Sequence, residues 1–71
     1  MINENYFTLT AKMMIAGFKF DRELLGNLEV WRNCQTDKEF VIEKECKNIS
    51  MPMLESILKQ ACMTIEEFNL L

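Results

Sequence analysis

Seventy-one residues, 49% of them hydrophobic, with one proline and two glycines, describe one small folded domain spanning residues 1–71 rather than a disordered chain. The formal charge is −3 and there is no histidine, which counts against a binder held to nucleic acid by clustered Lys and Arg and against acid–base catalysis. No apolar run approaches the ~20 residues of a membrane helix, and the N-terminus lacks a basic-then-apolar leader. A cytoplasmic, non-enzymatic chain with no membrane partner, small-molecule substrate or cofactor is therefore expected.

Cys34, Cys46 and Cys62 are odd in number and lack CxxC spacing. They read as buried reduced thiols rather than metal ligands. The charge is uneven: residues 1–33 carry four acids and four bases, residues 34–71 seven acids and four bases.

In chain order, the spacing predicts a first helix over 5–16, with Lys12 its only charge and Gly17 a left-handed cap at its end. Apolar on nearly every side, it is either covered by the rest of the domain or pressed against a partner, which admits a homodimer. A second helix is expected over 21–32. Asp21 is its N-cap, Phe20 and Leu25 stand at the staple positions, and Leu24, Leu25, Leu28 and Trp31 form its buried stripe. Gly26 in its interior, at a cost of about 1 kcal/mol, reads as a close approach by another helix.

A third helix, 36–47, is predicted from the capping box Thr36-Asp-Lys-Glu39. Helical periodicity groups Val41, Ile42, Cys46 and Ile49 on its core side. Phe40 then falls on the opposite side with Asp37, Lys44 and Lys47, an outward aromatic. If Phe40 takes the core instead, Val41 or Ile42 must turn outward.

The fourth helix, 51–61, has Ser50 as N-cap, Pro52 in its first turn and Leu54, Ile57, Leu58 and Ala61 on one stripe. The fifth, 65–70, opens with the capping box Thr64-Ile-Glu-Glu67, flanked by Met63 and Phe68 at the staple positions.

From Ile42 to Phe68 the chain resembles the second half of the Cro and lambda-repressor type helix-turn-helix domain. Ile42-Glu43, Ser50-Met51, Leu54, Ile57, Met63-Thr64-Ile65 and Phe68 fall in register without a gap, over 27 of the 71 residues. Ala16-Gly17-Phe18 is similar to the Ala-Gly-Leu that ends that family's first helix. Glu45 and Cys62 stand where the family usually has glycine, and Ala61 where it prefers leucine.

The resemblance implies an all-α fold, a compact five-helix bundle with 36–47 as recognition helix, in a small transcription-control protein of phage or mobile-element type. Two modes of action follow. In the operator-DNA mode, a Cro-like dimeric repressor, Gln35, Thr36 and Lys38 reach bases while Lys44, Lys47 and Asn48 hold phosphates. In the antirepressor mode, an acidic surface covers a repressor protein's basic face and Phe40, beside Asp37, or its apolar neighbours anchor the contact. Residues 36–47 sum to −1, which favours the repressor-binding mode.

Overall fold

Two turn signals, Gly26-Asn27 and Asn33 to Asp37, break residues 18–43 into three extended stretches, and the chain folds accordingly. A computed structural model describes residues 4–71; residues 1–3 of the expected 1–71 domain lie outside the described residues. The order is α1 (Tyr6–Ile15), β1 (Phe18–Leu24), β2 (Leu28–Asn33), β3 (Lys38–Glu43), α2 (Met51–Gln60) and α3 (Ile65–Asn69). The strands form one antiparallel sheet in the order β1-β2-β3.

The expected all-α five-helix bundle is thus contradicted: the fold is α+β. The stretches read as helices 21–32 and 36–47 are parts of two β-hairpins. Three of the five expected helices, 5–16, 51–61 and 65–70, are present within about a residue of their expected ends. The reason lies in period two. In Lys38-Glu-Phe-Val-Ile-Glu43, Phe40 and Ile42 are buried on one face while Glu39, Val41 and Glu43 take the other. Asp37, expected inside a capping box, instead closes the β2–β3 turn at φ 61°, and Asn27 closes the β1–β2 turn at φ 66°. Asn and Asp tolerate that conformation better than most side chains.

The two helical ends of the chain pack on the same face of the sheet, α1 over β1 and α2 over β3. One core results: Leu9 and Met13 of α1, Phe18, Trp31, Phe40 and Ile42 of the sheet, then Ile49, Leu54, Ile57, Leu58, Ala61 and Phe68. The Trp31 and Phe40 rings stack at 6.4 Å across the β2–β3 pair, and Phe18 leans on Phe40 at 5.3 Å. Both sheet edges are protected. On β3, the Val41 N–H donates to Gln60 Oε1 at 3.2 Å. On β1, a bulge interrupts the register between Phe20 and Arg22, and charges at Lys19, Asp21, Arg22 and Glu23 discourage edge pairing.

The helix ends follow their caps. Asn5 and Thr8 make a reciprocal box at the start of α1, and Thr64 and Glu67 make another at α3. Ser50 accepts from Met53 N–H at 3.3 Å, with Pro52 in the first turn of α2. At the other end of α2, Cys62 N–H donates to Lys59 C=O and Met63 N–H to Leu58 C=O, the paired bonds of a Schellman cap. Cys62 holds φ 56° to make them, a conformation that glycine adopts without its steric cost. Cys62→Gly should therefore raise stability by about 0.5–1 kcal/mol, read as a higher midpoint in urea with an unchanged slope.

Candidate protein-contact face

Phe40, which helical phase places outside as an anchor unless it takes the core, takes the core and is fully buried. Period two in β3 sends it inward with Ile42 and turns Val41 outward instead. The other expected site residues separate to the two ends of β3. Gln35, Thr36 and Asp37 lie in the β2–β3 turn and Lys38 opens the strand. Lys44, Lys47 and Asn48 lie in the connection from β3 to α2, all exposed. Six strand residues, about 20 Å, stand between the groups, so they do not converge on one site.

The helix-free face of the sheet is closed by its own charges. Arg22 and Arg32 flank the central Val30 position, and Glu39 reaches both, at 3.3 Å to Arg22 and 3.4 Å to Arg32. Asp21 pairs with Arg22, and Asp37 with Arg32. Their carboxylates hold both guanidiniums above the ordinary arginine range: for Arg22 chiefly the hydrogen bond to Asp21, for Arg32 chiefly the charge of Asp37. Val30 sits beneath this lattice only 1% exposed, although no helix covers it. With Lys12 paired to Glu4 and Lys44 to Glu23, Lys12, Arg22, Arg32 and Lys44 are engaged in intramolecular pairs. Among the described residues, Lys19, Lys38, Lys47 and Lys59 are the bases left over, and they stand on four different elements or connections.

Catalytic inventory is equally dispersed. Cys34 and Cys62 are exposed and Cys46 half-buried, all as free thiols; the expectation of three buried cysteines fails because two of them occupy turns. A depression of about 310 Å³ near the β2–β3 turn is lined by Gly17, Lys19, Arg32, Cys34 and Gln35. Its Arg32 is already committed to Asp37 and Glu39.

One surface that remains open is apolar and lies where a helical stripe would have been core. Leu24 and Leu25, expected in a buried helical stripe, are at the tip of the β1–β2 hairpin. Leu25 is 97% exposed and Leu24 nearly half so. The tip is held firmly: Lys44 N–H donates to Asn27 C=O at 2.9 Å, and Asn27 Nδ2 reaches back to Lys44 C=O at 3.5 Å. That tie brings the start of the β3–α2 connection beside the tip. Glu23, Glu43 and Glu45 therefore rim it, against Lys44, which pairs with Glu23 at 3.6 Å. Glu43 and Glu45 are left with no cation partner among the described residues. The signal available in the sequence was Leu-Leu-Gly-Asn, two apolar residues running into a turn pair.

No helix among the described residues is long and apolar enough to cross a membrane. No protein-family model matches the chain, and no curated protein matches it.

Proposed function

We propose that this chain is a small, non-enzymatic transcription-control protein that acts by binding another protein. Its partner, on this reading, is a DNA-binding repressor whose basic face it covers. The observation that carries the reading is the hairpin tip, where a fully exposed Leu25 and its neighbour Leu24 project from a rim of Glu23, Glu43 and Glu45. An apolar anchor excludes water at the centre of a contact, and the rim acids without a cation partner among the described residues, Glu43 and Glu45, speed encounter with a basic partner. The repressor as partner class comes from the resemblance in Ile42 to Phe68 and from the surplus of acids. Phe40 and a recognition helix have no part in it, because Phe40 is core and residues 36–47 are turn and strand.

The operator-DNA reading is disfavoured by the same charges. Phosphate binding draws on clustered free bases, and half of the eight bases are engaged within the chain.

The test is release of a helix-turn-helix repressor of the same replicon from its operator. Added wild-type chain should dissolve the repressor–operator complex in a gel shift. Leu25→Ser should fail to do so while its thermal midpoint stays unchanged, since so exposed a side chain contributes within about 0.5 kcal/mol to stability. Release by Leu25→Ser as effective as by wild type would remove the tip from the mechanism.

A further inference from the structure

We infer that the solvent face of α1 is a self-association surface, occupied by the same face of a second copy of this chain. This goes beyond the hairpin-tip reading and rests on different residues. Phe7, Ala11, Met14 and Ile15 recur at i, i+4, i+7 and i+8, which places them on one stripe of the helix. That stripe points away from Leu9 and Met13, which enter the core. Phe7 is 64%, Met14 58% and Ile15 72% exposed.

The stripe carries no charge. Lys12, the only charged residue of α1, is turned aside, with its ammonium 3.6 Å from Glu4 and 4.5 Å from the centre of the Phe68 ring. A charged partner would find nothing on this stripe to pair with; an identical stripe complements it. In an antiparallel pairing about a twofold axis through Ala11, Phe7 of each copy meets Ile15 of the other, and Thr8 meets Met14. Ala11 at the crossing point lets the two helix axes approach closely.

The bare area agrees with that occupant. The three large side chains leave roughly 300–400 Å² uncovered in each copy, a patch of the size that marks interaction sites on small proteins. Two such patches with a polar rim fall at or below the smallest specific interfaces, so the dimer should be weak and its population should follow concentration.

Sedimentation of the full chain from about 5 to about 500 µM should show a monomer converting to a dimer, not to higher species, as expected for a closed twofold contact. Phe7→Glu and Ile15→Lys should each keep the wild-type circular dichroism spectrum and weaken the dimer about tenfold or more. Mixed one to one, the two variants should regain dimer, because the antiparallel register sets the introduced carboxylate against the introduced ammonium across the axis. A chain that stays monomeric throughout would overturn the inference and leave the stripe to a foreign protein. So would a dimer that both substitutions leave intact, or two weakened variants that gain nothing on mixing.

Discussion

Asn33→Ala should lower stability by about 2–3 kcal/mol, the largest loss expected from any single polar side chain in the turns. Asn33 ends β2 only 3% exposed. Its Oδ1 accepts from Gln35 N–H at 2.9 Å and from Thr36 N–H at 3.3 Å, shaping the β2–β3 turn. Its Nδ2 donates to Ala16 C=O at 3.1 Å, the carbonyl at the C-terminal cap of α1. One amide thus ties the end of the first helix to the turn of the second hairpin, across 17 residues of chain. Gly17 admits it: φ is +106°, and a Cβ there would stand 3.1 Å from Asn33 Nδ2. For a domain of this size the loss corresponds to a fall of about 10–20 °C in the thermal midpoint. Asn33→Asp keeps the turn acceptor but sets a carboxylate oxygen against the Ala16 carbonyl at a buried position, so its midpoint at neutral pH should fall at least as far as that of Asn33→Ala. Equal midpoints for all three proteins would show that the amide ties nothing.

The second large effect centres on Glu29. Its side chain is 5% exposed on the helix-covered face of β2. Glu29 Oε1 accepts from Tyr6 Oη at 2.6 Å and from Trp31 Nε1 at 3.0 Å. Glu29→Ala would orphan both donors next to the core and should cost about 2–4 kcal/mol. Glu29→Gln retains a carbonyl acceptor and should cost far less. Trp31 is the only tryptophan, so a change in its fluorescence would report loss of that bond directly.

A pH dependence accompanies the same cluster. The Tyr6 hydroxyl is pushed up to about 12 from its ordinary 10.0, first by burial and then by its bond to Glu29. The folded state therefore holds the phenol proton more tightly than the unfolded chain does. Its contribution to stability is complete below pH 10 and is lost as pH rises from 10 towards 12. In Glu29→Ala the Tyr6 titration should move part of the way back towards 10, since burial, the larger cause, persists. A Tyr6 titration unchanged by that substitution would dissociate the two groups.

The parts of this fold legible in the sequence are those whose signals are local. Ser50, Pro52 and the stripe Leu54, Ile57, Leu58, Ala61 define α2 within a single stretch of chain, and all four stripe residues are buried. The Thr64 to Glu67 box does the same for α3. The sheet was hidden by an ambiguity of period. Leu24, Leu28 and Trp31 satisfy a helical spacing, yet in the structure Leu24 and Leu28 face each other across a hairpin while Trp31 enters the core from the opposite face. Gly26-Asn27, which fits the interior of a helix poorly, was the local sign of a turn. Val30 next to Trp31 and Phe40-Val41-Ile42 supplied the β-branched and aromatic runs that favour strands.

Local periodicity leaves Phe40 between an outward and a core position, and what decides it is not local. Its burial depends on Phe18 and Trp31, brought to it by the strand pairing. Leu25 was misplaced for the same reason, because a helical stripe buries it and a hairpin tip exposes it. The outer stripe of α1 was visible from the start as a helix with too few charges. Only the packing shows which side stays bare.

Binding to random duplex DNA, titrated with salt from low ionic strength upward, tests the central claim that this chain acts on protein rather than on nucleic acid. The acidic surplus, the four engaged bases and the scattered remainder predict no detectable complex even at the lowest salt. A tight complex that weakens steeply as salt rises would mean that phosphates are being neutralised, and would contradict it.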